Sequence, residues 1–181
     1  MSIPRQPLPA KLVVGFFLAE KSLGPAAVSA LCERFGPVDL VSAWLPFDYT
    51  DYYRAEMGGN LLRRLVSFTR LVDPGQLATI KAMTNVVEQQ MAVNGKRLIN
   101  FDPGTLTAAQ FVLATGKNYS HRIYLGQGIF ADLTLVFSRG AFRPLAWTYP
   151  DYRDDALLSF LGRARRKYLV DVKPAVAHPC R

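Results

Sequence analysis

The most constraining stretch of this sequence is IFADLTLVF, residues 129–137, where Ile129, Ala131, Leu133, Leu135 and Phe137 occupy every second position. A period of two is the repeat of an extended chain, whose side chains alternate between faces. The stretch therefore reads as a core strand that carries no chemistry. Just upstream, KNYSHRIYLGQG (117–128) sets His121, Ile123 and Leu125 on one face and closes with Gly-Gln-Gly. Together they predict a hairpin that opens a β-meander, with a polar site at residues 117–122.

The rest of the chain alternates strands with helices. LVVGFFLA (12–19) is short, apolar and rich in β-branched and aromatic residues, which suits a strand buried on both faces. Val28, Leu31, Cys32 and Phe35 then recur at helical spacing, with Pro25 in the first turn and Gly36-Pro37 as the stop. Residues 38–47 read as a second strand, 48–60 as a loop with one helical turn, and 61–72 as a third strand. Asp73, Pro74 and Gln76 supply an N-cap, an N1 proline and a capping-box glutamine. The helix behind them buries Leu77, Ile80, Met83, Val87 and Met91, and Asn94-Gly95 ends it.

A fourth strand at 97–101 runs into a turn at Asp102-Pro103-Gly104. Thr107 and Gln110 then cap a short helix stopped by Gly116. Residues 142–148 form the last strand. A helix over 151–170, capped by Asp151, turns Leu157, Leu161, Ala164 and Tyr168 inward.

This order predicts an α+β fold: a ferredoxin-like βαββαβ core extended by a short helix, a three-stranded antiparallel meander and a C-terminal helix. It forms a single domain over residues 1–181, with flexible ends at 1–10 and 174–181. In that topology Asp48 and Asp102 lie at opposite ends of the sheet. The short helix returns Lys117, His121 and Arg122 to the Asp48 end, and the meander brings residues 126–128 and 148–151 to the Asp102 end.

Composition narrows the partners. With 50% hydrophobic and 20% charged residues the chain is globular, and 22 Lys and Arg against 14 Asp and Glu give +8, which favours anionic partners. The two cysteines, Cys32 and Cys180, form no disulfide framework, so a reducing, cytoplasmic setting is expected. The longest apolar run is far too short to span a membrane.

Standard phosphate loops are absent, as is the G-x-S-x-G elbow. Two histidines and two distant cysteines do not make a structural zinc site. RNA-recognition domains of βαββαβ order stack bases on aromatic residues of strands 1 and 3, but the third strand here, RLVSFTRLV, has only Phe68.

Three groups of residues have the chemistry of a site. His121 is an acid or base candidate, with Lys117 and Arg122 as anion holders. Adjacent strand residues point to opposite faces, so His121 and Arg122 share a target only where the strand bulges or begins. Asp48 and Asp51, among Tyr49, Tyr52 and Tyr53, suit a base or Mg²⁺, and equally a helix cap. Asn100, Asp102 and Tyr149 complete the ligand-binding candidates. No cofactor is indicated and no metal site is assigned.

FDYTDYY with EMG (47–58), NFDPG (100–104), SHRIYLGQGI (120–129) and WTYPDYR (147–153) together resemble the uncharacterised bacterial family named domain of unknown function 4416. The resemblance spans roughly residues 11–168 and implies that these four segments belong together; it implies no activity. Two readings follow from the residues. One is a site for a small anionic or phosphorylated ligand, with hydrolase- or transferase-type chemistry open. The other is a non-enzymatic module that binds nucleic acid or protein through Arg163, Arg165, Arg166 and Lys167.

Overall fold

The computed structural model describes residues 3–50 and 52–173. Its strands are β1 (Ala10–Leu18), β2 (Val38–Val41), β3 (Leu45–Phe47), β4 (Leu61–Val72), β5 (Ile99–Leu106), β6 (Gln110–Thr115), β7 (Arg122–Gly126), β8 (Ile129–Ser138) and β9 (Ala141–Pro144). The helices are α1 (Gly24–Phe35), the short α2 (Arg54–Met57), α3 (Leu77–Gln90) and α4 (Asp155–Asp171). The strands form one antiparallel sheet in the order β2-β4-β1-β5-β6-β8-β7, with β3 also on β4 and β9 also on β8. The fold is mixed α+β, with a sheet larger than a four-stranded core.

Every residue of β1 is buried because the sheet is covered on both sides. On one side Leu12, Val14, Phe16 and Leu18 pack with Phe68, Phe101, and residues of α1 and α3. On the other, Val13, Leu65, Leu106, Phe111 and Leu135 pack under Leu157, Phe160, Leu161, Ala164 and Tyr168 of α4. No described helix is long and apolar enough to cross a membrane.

Several local expectations are corrected. Residues 102–104 are not a turn but the middle of β5, paired with β1 throughout. Pro103 lies just ahead of the pairing with β6, a boundary where a strand tolerates a missing N–H. Gly104 is required by packing, since a Cβ there would lie 2.7 Å from the Phe111 ring and 2.8 Å from the Val112 carbonyl oxygen.

The short helix over 107–116 is instead β6. The Thr107 hydroxyl accepts from the Ala109 and Gln110 N–H groups, each at 3.3 Å, and so shapes a tight β5–β6 turn. The predicted second strand is split into β2 and β3, both on β4. Asp154, not Asp151, caps α4, accepting from Ala156 and Leu157 N–H.

The alternation in β8 also breaks. Phe111 of β6 pairs with Leu135 but Val112 pairs with Leu133, so Thr134 is an extra residue, a β-bulge. Beyond it Leu135 faces α4. Before it the facing residue is Asp132, which pairs with Leu113 and is 1% exposed. The predicted inward face is therefore kept in only half of the strand. Ile123, expected to share a covered face, is 71% exposed on the terminal strand β7.

A buried cation fastens the far end of α4. Lys11 is fully buried and its Nζ bonds Asp39 (2.7 Å) and the Phe68 carbonyl (2.9 Å), with Asp171 at 2.9 Å. Lys167 still reaches both carboxylates, at 3.6 Å from Asp39 and 3.0 Å from Asp171, so Lys11→Ala, which removes one set of buried charge-assisted bonds, is expected to lower the urea unfolding free energy by about 1.5–3 kcal/mol. Gly104→Ala is expected to cost about 1–3 kcal/mol, through displacement of Phe111.

Candidate functional site

The α4 side of the sheet is left open over the middle strands beyond the N-terminal end of the helix. There a cleft of about 170 Å³ is lined by strand residues Phe17, Arg63, Asp102 and Asp132, and by three loops, one bearing Tyr49 and Tyr53, one Lys117 and one Tyr149. At about 30 Å³ per water this is room for roughly six waters, below the roughly 300 Å³ where drug-sized pockets begin. It fits a small molecule or one end of a larger one.

The floor is built around Arg63, which is only 2% exposed. Its guanidinium lies 4.4 Å over the Tyr152 ring and 5.5 Å from that of Phe47. Nη1 pairs with the Asp151 carboxylate, and Nη2 lies 3.7 Å from Asp102 Oδ2. Gly15 makes this possible, because a Cβ there would stand 3.0 Å from Arg63 Nη2 and 3.2 Å from the Tyr152 hydroxyl. Arg63 Nε, Arg63 Nη2 and the Tyr152 hydroxyl are buried without a hydrogen-bond partner. Buried donors are almost always paired, so these three atoms are exceptions within the core of the sheet face.

Residues 145–153 form one wall, and nearly every side chain in them is anchored. The Trp147 indole N–H donates to the Leu133 carbonyl (2.8 Å), and the Thr148 hydroxyl donates to that of Thr134. Arg153 donates to the carbonyls of Leu145, Ala146 and Thr148. This frame fixes Tyr149 above the cleft and Asp151 and Tyr152 against Arg63. Facing it, Phe47 stacks on Phe17 (4.4 Å between centroids) and Tyr53 meets Phe17 edge-on, which folds the Tyr-rich loop over the sheet.

Each carboxylate is held by a separate network. Asp102 Oδ1 accepts from Asn100 Nδ2 (3.0 Å), and Asn100 Oδ1 accepts from Arg97 Nη1 (3.1 Å). Arg97 is gripped in turn by Glu56 of α2 and Glu88 of α3. Its hydrogen bonds with Arg97 hold the Glu56 carboxyl below its usual range. Asp132 accepts from Arg122 Nε (2.9 Å) and from the Thr134 hydroxyl, while Arg122 also donates to the Tyr149 hydroxyl and the Lys117 carbonyl.

The candidates from sequence divide accordingly. Tyr49, Tyr52, Tyr53, Asp102, Lys117 and Tyr149 line the cleft, with the Lys117 ammonium 4.2 Å over the Tyr52 ring. Asn100 and Arg122 orient Asp102 and Asp132. His121 is not in the cleft wall; its Nε2 lies 3.2 Å from Asp132 Oδ2 and its ring stacks on Trp147. It shares that target with Arg122 because β7 begins only at Arg122. Asp48 is exposed and lines a separate depression with Arg54 and residues 58–62. Asp51 lies outside the described residues.

The expected separation of Asp102 and residues 149–151 from the tyrosine loop is corrected: all line this one cleft. The loop folds back over Phe17, and Asp102 sits within β5, not beyond it. Among the described residues no group of three His, Cys, Asp or Glu is arranged to hold a metal ion. Of the basic residues on α4, Lys167 is tied to Asp171 (3.0 Å), Arg165 donates to the Ala108 carbonyl (2.7 Å), and Arg163 lies over Phe160.

Arg63, Asp132, Asp151 and Tyr152 were not among the sequence candidates. Two signals pointed to them: an arginine on the apolar alternation Leu61, Arg63, Leu65, and a glycine inside the otherwise apolar run 12–19.

The chain belongs to the family described as domain of unknown function (DUF4416), whose model matches residues 8–168. No curated protein and no solved structure matches it significantly.

Burial pushes the Tyr152 and Tyr53 phenols up, opposed at Tyr152 by Arg63 and reinforced at Tyr53 by Asp102. A phenol raised on folding contributes stability in full below its unfolded pKa of about 10, and that contribution is lost as pH rises through the folded value. Titration of tyrosinate absorbance is therefore expected to leave these two phenols protonated where free phenols ionise. The part of the urea stability owed to these two phenols is expected to fall only above pH of about 10.

Proposed function

We propose that this member of the family binds a small anionic or phosphorylated molecule in the Arg63 cleft. The observation that carries the reading is a cleft lined by the exposed cation Lys117 together with the phenols of Tyr49, Tyr52, Tyr53 and Tyr149. Lys117 stands at the entrance and has no carboxylate partner among the described residues, so its ammonium is available to an anion.

If a reaction follows binding, it is of hydrolase or transferase type, and Asp102 is the group placed to take a proton. One of its oxygens is held by Asn100, while Oδ2 has no hydrogen bond from the protein and its side chain is 29% exposed. His121, turned toward Asp132, serves as a positioning residue. The strand order β2-β4-β1-β5, with α1 and α3 on one face, supports reading that half as a ferredoxin-like unit extended by β6–β9 and α4. The two-cysteine composition supports a cytoplasmic setting.

A thermal-shift screen of inorganic phosphate, sugar phosphates and nucleotides tests the reading. At least one anion is expected to raise the melting temperature, and Lys117→Ala to reduce that shift while leaving the unliganded melt unchanged. A shift fully retained in Lys117→Ala places the anion elsewhere.

A further inference from the structure

We infer that the ligand of this cleft is a monocyclic aromatic acid, whose flat ring lies between two tyrosine walls while its anionic group stays at the rim beside Lys117. This rests on the cleft being the anion site and names the class of ligand it takes.

A ligand can touch only part of the lining. Phe17, Arg63, Asp132 and Tyr152 are at most 2% exposed, and the guanidiniums of the floor are already engaged, Arg63 with Asp151 and Asp102 and Arg122 with Asp132. No free cation is offered from below, and three carboxylates against two guanidiniums repel an anion set deep in the cleft. The surfaces open to a ligand are the tyrosines, with Tyr49 42% and Tyr149 38% exposed, and the exposed Lys117. The inner part of the ligand therefore meets aromatic faces and phenol hydroxyls, and its negative charge finds a cation at the entrance.

The aromatic walls stand apart. Tyr53 packs on Phe17 (4.6 Å between centroids) and Tyr49 on Phe47 (6.1 Å), in the loop folded over the sheet. Tyr149 belongs to the facing wall, where its hydroxyl accepts from Arg122 Nη2 (2.6 Å). Its phenol is near enough to raise that of Tyr53, yet no ring contact among the described residues joins it to Tyr49, Tyr52 or Tyr53. The cleft is what separates them.

A slot with phenol rings on both sides suits a planar π-system. Such a ring gains from stacked or edge-on contact beyond what a saturated ring of the same size gains by burial alone. Each wall is already held by its own packing or hydrogen bonds, so little ordering opposes binding. The volume sets the number of rings at one: the cleft measures about 170 Å³, and a cavity of about 150 Å³ takes up benzene.

Isothermal titration of the full chain at neutral pH with three phosphonates, none cleavable as a phosphate ester is, tests the inference. Phenylphosphonate carries ring and anion, cyclohexylphosphonate a saturated ring of similar size, and methylphosphonate the anion with no ring. Phenylphosphonate is expected to bind about three- to tenfold tighter than cyclohexylphosphonate, and at least about tenfold tighter than methylphosphonate. Tyr49→Leu and Tyr149→Leu are each expected to shrink the phenyl-to-cyclohexyl ratio. Lys117→Ala is expected to weaken all three probes alike and leave their ratios unchanged.

Cyclohexylphosphonate binding as tightly as phenylphosphonate overturns the inference and leaves the anion site standing. So does methylphosphonate matching phenylphosphonate, or a ratio unchanged in both leucine variants. Affinities untouched by Lys117→Ala overturn the anion-site reading and the inference built on it, as does failure of all three probes to bind at millimolar concentration.

Discussion

The arrangement of this protein's open sheet face depends on the burial of one arginine. A guanidinium is always charged, and taking it out of water is tolerated only where carboxylates and aromatic faces replace the solvent. Arg63 finds both: Asp151 on one nitrogen, Asp102 near another, and the Tyr152 and Phe47 rings on its faces. Asp151 and Tyr152 arrive from the far end of the chain, Phe47 from the end of β3, and Gly15 leaves room by lacking a Cβ. Satisfying one charge therefore draws four distant pieces of backbone together, and leaves two of its own donors without a hydrogen-bond partner.

The same economy of position explains why the four segments 47–58, 100–104, 120–129 and 147–153 meet. Phe47 and Tyr53 seat the first on Phe17, Asn100 and Asp102 bring the second into the floor, Arg122 ties the third to Asp132 and Tyr149, and the fourth is pinned to β8 by Trp147 and Thr148. Far from the cleft, Lys11 does a comparable job with Asp39 and Asp171, fixing the end of α4. Lys11 is fully partnered, whereas two nitrogens of Arg63 have no hydrogen-bond partner.

Much of the fold was legible because its signals are local. The apolar run of β1, the 3.6-residue stripes of α1 and α3, the punctuation by Pro25, Gly36, Asp73 and Pro74, and the limits of β4 all follow from short-range sterics and hydrogen bonding. Residues 102–116 were misread for the converse reason. Asp-Pro-Gly is turn chemistry in isolation, and Thr107 with Gln110 is a capping pair in isolation, yet pairing with β1 and β8 overrode both. Local preferences are worth a few tenths to one kcal/mol, less than the burial of Phe111 and Leu113 in a central strand.

The site shows the same division. Tyr49, Tyr53, Lys117, Asp102 and Tyr149 were recognisable by residue type, and the cleft contains them. Asp132 was hidden by the Thr134 bulge, which reverses the facing of β8 and so turns a residue of an apparent core strand into the cleft. The sequence by itself determined β1, β4, α1, α3 and α4 and which polar residues are unusual for their surroundings, because those depend on neighbours along the chain. Only the tertiary structure decided that Arg63 is the centre, that Asp102 and the tyrosine loop share one cleft, and that His121 stands outside it. Register, bulges and the partners of a buried charge are settled between residues far apart in sequence, where no local pattern records them.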